Sequence, residues 1–266
     1  MGAIMSSGST VDIRTAIFLA AVCGQTYMQY NNNGYFLVPD SYRVIGPFNA
    51  SSFTGNEEPF GFVIESPQAV ILAFRGTSSP TDWVTDMIAQ QTTFKPLSKK
   101  SVMTHRGFTE VYMSARDQIF RLLDQVPSDK PLFVTGHSLG GALATLASLD
   151  IAVNRKPDTI ITYTFGSPRT GDPAFVRAYN AAVPISFRIQ NEFDVVPHLP
   201  PLVYQSPKTD KSYYYLHVKE EVKRSFRYGS IGGNHVISSY FNDLAQDAPG
   251  FTAAVCSDPP GWCPQK

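Results

Sequence analysis

Gly136-His137-Ser138-Leu139-Gly140 lies between a β-branched run and an alanine-rich stretch. It is a G-x-S-x-G pentapeptide, placed where a nucleophile elbow sets a serine on a strand-to-helix turn. The chemistry this predicts is attack by Ser138 Oγ on an ester or amide carbonyl. At such a turn helix and strand come so close that a Cβ on either flanking residue would collide, which accounts for the two glycines. The surroundings fit: Pro131-Leu132-Phe133-Val134-Thr135 reads as a buried strand, and Gly140 to Ala147 as a closely packed helix.

A serine hydroxyl is a weak nucleophile at neutral pH and needs a base, itself oriented by a carboxylate. In α/β hydrolases these follow in the order serine, carboxylate, histidine, which disfavours His105 and His137. Asp194 follows the strand-like Ile185-Ser186-Phe187-Arg188-Ile189 and precedes the turn formers Val195-Val196-Pro197, so it is the expected acid. Glu192 is the local competitor. His198 lies too near Asp194 in sequence to face it across a site, and His217 falls in an alternating, strand-like run from Leu216 to Glu220; both read as structural. His235 follows the flexible Gly232-Gly233-Asn234 and precedes an apolar helix, a setting that can bring an imidazole over Ser138. It is the expected base. The developing oxyanion needs fixed donors. Leu139 N–H supplies one, and Thr77, in the loop Arg75-Gly76-Thr77, supplies a second through its N–H and hydroxyl.

These residues require a scaffold. Gln68 to Phe74 reads as a buried strand, Phe108 to Val126 as a helix, Thr159 to Phe165 as a strand, and Asp172-Pro173 as a helix start. Strands alternating with helices predict βαβ units and a largely parallel sheet, with Thr77, Ser138 and Asp194 at the carboxyl ends of its strands. Near the N-terminus Ile13, Ile17, Ala20, Ala21 and Gly24 recur at helical spacing and predict a core-facing helix rather than a leader peptide.

With 266 residues, no composition break and no internal repeat, the chain reads as one domain over 1–266. Twenty-two basic and 22 acidic residues cancel, which argues against nucleic acid as a partner. No apolar run reaches the length of a membrane span. No Cys/His cluster or H-E-x-x-H spacing suggests a metal, and no cofactor is expected. Of three cysteines, Cys256 and Cys263 are spaced to close a local disulfide, and Cys23 reads as a buried free thiol.

Together the residues resemble the class 3 lipases, the α/β hydrolases that include filamentous-fungal triacylglycerol lipases. The marks are Phe74-Arg75-Gly76-Thr77, His105-Arg106-Gly107-Phe108, Thr135 to Ala142, Gly166 to Phe175, Asp194 to Pro201, and His235 through Tyr240-Phe241. The resemblance implies an α/β-hydrolase fold, a triad of Ser138, Asp194 and His235, and an oxyanion hole of Thr77 and Leu139. It also implies a noncatalytic His217. Two departures stand out: one extra residue separates His235 from Tyr240, and the fungal disulfide framework is missing.

Residues 78–95 resemble the family's lid, with Trp83, Val84, Met87 and Ile88 on one apolar face of a short helix pattern. Exposing about 200 Å² of that face costs roughly 5 kcal/mol in water, a cost that an oil surface offsets. Leu199, Pro200, Pro201, Leu202, Val203, Ile231 and Val236 are candidates for an acyl groove, or equally for the core. The expected function is triacylglycerol hydrolysis at an oil–water interface through an acyl-enzyme. Feruloyl esterase or phospholipase A1 activity on the same fold is the alternative. A noncatalytic lipid-binding protein is the reading from another class, and it would give no covalent adduct with a serine-directed phosphonate. The family resemblance favours secretion over the cytoplasm.

Overall fold

The computed structural model describes residues 10–77, 89–97, 101–207 and 209–265. Helix α1 (Ile13–Asn31) precedes strands β1 (Arg43–Ser51), β2 (Glu57–Glu65) and β3 (Val70–Phe74). Two short strands, β4 (Gln91–Thr93) and β5 (Met103–His105), lead to α2 (Arg106–Leu123). Then β6 (Leu132–His137), α3 (Leu139–Asn154), β7 (Ile160–Phe165), α4 (Pro173–Ala182) and β8 (Ile185–Asn191) alternate. The C-terminal part holds β9 (Val203–Gln205), β10 (Ser212–Tyr214), β11 (Glu221–Arg224), α5 (Ile231–His235), α6 (Ile237–Ala245) and α7 (Pro249–Cys256).

Seven strands form the main sheet in the order β1-β2-β3-β6-β7-β8-β11. From β3 to β11 neighbours run parallel, and β1 and β2 extend one edge antiparallel. This is the largely parallel α/β-hydrolase sheet. Every residue of β3, β6 and β7 is buried because helices cover both faces. Strand β3 shows the division: Val70, Leu72 and Phe74 face the core shared with α2, α3 and α4, whereas Ile71 and Ala73 face the one shared with α1 and α6.

Helix α3, which starts at the elbow, is buried from Leu139 to Ile151. Its small residues let it pack on the sheet between α2 and α4. The one charge in that stretch, Asp150, accepts from Arg116 Nε at 2.6 Å and Nη2 at 3.0 Å, Tyr112 Oη at 2.6 Å and Asn154 Nδ2 at 2.7 Å. These four bonds replace the water lost on burial. Helix α1 opens at Asp12, whose carboxylate caps the N–H groups of Arg14 and Thr15.

Several expectations need correction. Helix α1 is buried all round from Thr15 to Thr26 rather than along one stripe, because α6 and the C-terminal tail cover the side away from the sheet. The Trp262 ring in that tail lies 5.1 Å from that of Phe18, tilted by 58°, and the Trp262 carbonyl accepts Gln25 Nε2–H at 2.6 Å. Leu216 to Glu220 is not a strand: Leu216 makes one bridge to Gly171, and the parallel edge strand starts at Glu221. Gly232-Gly233-Asn234 is a turn of helix α5 rather than a loop, capped by Ser230. The cysteine expectation is met: Cys256 and Cys263 are bonded and Cys23 is a free buried thiol.

Two outcomes follow. Asp150→Ala leaves the Arg116 guanidinium and the Tyr112 hydroxyl without their acceptor, and is expected to cost about 3–5 kcal/mol in urea unfolding; a loss below about 1 kcal/mol would contradict the role given to this cluster. Burial pushes the Cys23 thiol up to about 12. Ellman's reagent at pH 8 is therefore expected to find no thiol in the native protein and one after denaturation without reductant.

Candidate active site

The elbow is built by close approach. A Cβ on Gly136 would lie 2.1 Å from Gly140 O, and one on Gly140 would lie 2.3 Å from Phe74 O. No side chain fits at either place. Ser138 sits between them at φ 58°, ψ −129°, a backbone state that costs a non-glycine residue about 1–3 kcal/mol and is held by surrounding structure. Here Ser138 N–H donates to Phe165 O at 2.9 Å, and Ser138 O accepts from Gly141 N–H at 2.9 Å. Ser138 Oγ is buried and has no hydrogen-bond partner among the described residues.

Asp194 lies three residues beyond the end of β8, where its Oδ1 accepts Val196 N–H at 2.9 Å. Its Oδ2 accepts His235 Nδ1–H at 2.7 Å and Tyr240 Oη–H at 2.7 Å. Asp194 and His235 are both buried. With Nδ1 carrying the proton, His235 Nε2 holds a free lone pair, and that atom too is buried without a partner. Asn191 Nδ2 donates to Asn234 O at 3.1 Å and Asn234 Nδ2 to Phe193 O at 3.2 Å, clamping α5 to the turn that carries Asp194.

Tyr240 was named in the sequence only as part of a motif. Its hydroxyl donates to Asp194 and accepts Asn191 N–H at 3.1 Å; burial and the Asp194 charge raise its pKa well above the phenol range. The extra residue before it is absorbed at Val236, which is extended at φ −58°, ψ 146° and separates α5 from α6. The His/Tyr spacing signalled the register problem but not its solution.

The other histidines lie elsewhere in the network. His105 caps α2 by accepting Phe108 N–H, and burial lowers its pKa to about 3. His217 Nε2 donates to Pro197 O at 2.7 Å and His198 is exposed. Glu192 is exposed and bound to Ser225 and Lys223. The His137 ring lies 4.7 Å from that of His235, tilted by 36°, which brings His235 beside the elbow.

Leu139 is the first residue of α3, where helical N–H groups have no intrahelical acceptor. Thr77 Oγ1 is buried without a hydrogen-bond partner among the described residues. Trp83, Val84, Met87 and Ile88 lie outside the described residues, as does the rest of 78–88. Among the acyl-groove candidates, Pro200 is buried and Leu199 half-buried, so these two pack inward. Leu202, Val203, Ile231 and Val236 are exposed, the last two flanking His235 in sequence. No group of three or more potential metal ligands occurs among the described residues, and no described helix is long and apolar enough to cross a membrane.

A family profile described as Lipase (class 3) matches residues 71–204, about half of the chain. A lipase of Rhizomucor miehei is 38% identical over 148 residues, covering 53% of this chain and 40% of that protein. A phospholipase A1-II 1 of Oryza sativa subsp. indica is 33% identical over 164 residues, covering 53% and 42%. The chain thus spans about two fifths of the length of these curated relatives. The crystal structure of a lipase from Rhizopus microsporus var. chinensis superposes with a TM-score of 0.65 at 27% identity, over 83% of this chain and 79% of that one. With the profile running from the buried strand before Thr77 through the elbow and past Asp194, the chain belongs to the class 3 lipase family.

Proposed function

We propose that this chain is a serine carboxylester hydrolase acting on triacylglycerols, with Ser138 as nucleophile, His235 as base and Asp194 as its orienting carboxylate. The observation that carries this reading is that, of the eight buried side-chain polar atoms without a hydrogen-bond partner among the described residues, three are Ser138 Oγ, His235 Nε2 and Thr77 Oγ1, the three expected at the site. A fold does not leave such atoms uncompensated without reason, because each costs about 1–3 kcal/mol. Ser138 Oγ and His235 Nε2 are the two atoms between which a nucleophile passes its proton to a base, and Thr77 Oγ1 is left to donate to an oxyanion.

In this mechanism His235 Nε2 takes the Ser138 proton as Oγ attacks the ester carbonyl carbon. Negative charge moves to the carbonyl oxygen, facing Leu139 N–H and Thr77. The tetrahedral intermediate then expels the glyceride alcohol, which receives the proton from His235, and leaves an acyl group on Ser138. Water repeats the sequence and releases a fatty acid. Asp194 holds His235 in the required tautomer and stabilises the transient imidazolium. The exposed Leu202, Val203, Ile231 and Val236 offer apolar contact for chains entering from an oil surface, and the Trp83 segment serves as the lid. The Cys256–Cys263 bond favours an oxidising, secretory location.

The rice relative named as a phospholipase A1 supports a second reading, in which the ester belongs to a phospholipid. Parallel turnover on tributyrin, triolein, a phosphatidylcholine and methyl ferulate separates these substrates. Ser138→Ala is expected to lower kcat on every ester by on the order of 10⁶-fold with unchanged circular dichroism; substantial residual turnover would end the assignment. Trp83→Ala is expected to depress hydrolysis of emulsified tributyrin more than hydrolysis of a soluble ester. Equal losses on both would remove the lid from the mechanism.

A further inference from the structure

Helix α1 carries none of the groups used in the hydrolysis above, yet Tyr27, near its C-terminal end, reaches the elbow. Tyr27 Oη lies 2.7 Å from His137 Nδ1, and His137 Nε2 lies 2.7 Å from the backbone carbonyl oxygen of His235. A carbonyl can only accept, so Nε2 must carry the proton. Burial and the adjacent His235 ring hold the His137 pKa well below its ordinary value, so the ring is neutral. Its Nδ1 is then an acceptor, and Tyr27 O–H must donate to it. The Tyr27 oxygen also lies against Gly76, where a Cβ would come within 2.2 Å of it. The two bonds therefore run one way: Tyr27 O–H to His137 Nδ1, and His137 Nε2–H to His235 O.

The ends of this chain matter. Gly76 adjoins Thr77, the proposed oxyanion donor, and His235 is the proposed base. His137 immediately precedes Ser138, so one line of contacts touches all three stations of the reaction. Space is tight along it: a Cβ on Gly76 would lie 2.2 Å from Tyr27 Oη, 2.7 Å from His137 O and 3.0 Å from Ser138 Cβ. The glycine keeps room for the tyrosine. His235 is consequently held at two points, Nδ1 by Asp194 and backbone O by His137, which fixes where Nε2 can lie.

We propose that Tyr27 and His137 are positioning residues that set the oxyanion loop and the base in register with Ser138, through these two hydrogen bonds and the close packing of Tyr27 against Gly76. The inference rests on the reading of Ser138 and His235 as the reacting pair. It gives a use to the middle letter of the pentapeptide and to the first helix, which the hydrolytic steps leave without one.

The test uses a soluble p-nitrophenyl ester, inactivation by a serine-directed phosphonate, and thermal melting. Tyr27→Phe deletes only the hydroxyl. It is expected to lower kcat and the phosphonate inactivation rate by roughly 10-fold with KM within about twofold, since a small misplacement of a base is costly. His137→Leu is expected to lower kcat by on the order of 10²-fold, and His137→Gln, which offers an amide donor and a carbonyl acceptor, to recover most of that loss. Tyr27→Phe combined with His137→Leu is expected to be no slower than His137→Leu alone, as for links of one chain. The inference is overturned if Tyr27→Phe turns over like the wild type, or if His137→Gln is as slow as His137→Leu. Additive losses in the double variant would also overturn it. If His137→Leu does not fold, Tyr27→Phe alone decides. Failure of the phosphonate to label Ser138 in the wild type would instead sink the reading of the site itself.

Discussion

The constraint on which the site depends is the close approach of the start of α3 to the end of β3. With the Gly140 backbone so near Phe74 O that a Cβ would reach 2.3 Å, helix α3 can lie on the sheet in only one place. That contact forces the chain to turn within a residue of leaving β6, and Ser138 takes the positive φ that the turn demands. The strain is local, and the means of holding it are distributed. Strand β6 is paired on both sides, α3 is enclosed along its length, and Asp150 ties its far end to α2.

A second constraint is the accounting of acceptor sites on Asp194. Oδ1 is used by its own turn, and Oδ2 is shared by His235 and Tyr240. A carboxylate with three donors is fixed in direction as well as in charge, which makes it a usable reference for an imidazole on a different element. The five-residue step from His235 to Tyr240 would point the two side chains apart on a continuous helix, since residues on one face recur at three or four. One extended residue, Val236, resets the phase.

Much of this was readable from residue types. The elbow announced itself because strand, glycine, serine and helix must come in that order, and Asp172-Pro173 marked a helix start that the structure places with Asp172 capping Phe175 N–H at 2.7 Å. The carboxylate after β8 and the histidine after a glycine pair were readable for the same reason, as end-of-element residues. What could not be read was anything set by contact across the chain. Alternation from Leu216 to Glu220 mimics a strand, yet Arg188 binds Val218 O with its guanidinium and Leu216 meets Gly171, and only Glu220, at the end of the segment, bonds to the backbone of β8. Burial of α1 on every side depends on a tail more than 230 residues away, bonded through Gln25 and Trp262. Nothing in the sequence marks the hydroxyls of Tyr27 and Tyr240, because their partners are decided by tertiary placement alone.

The enclosure of α3 has a bearing on how the protein fails. Hydrogen exchange and local opening begin where few buried contacts hold the backbone, and reach interior helices last. The elbow belongs to the interior class, with thirteen buried positions in α3 behind it. Helix α5 is a five-residue turn held by Ser230, Asn191 and Asn234 and, at His235, by Asp194 and His137. Ser138 thus sits on the part of the fold expected to open last, and His235 on a short element whose place is set by hydrogen bonds to its neighbours rather than by burial of a long helix.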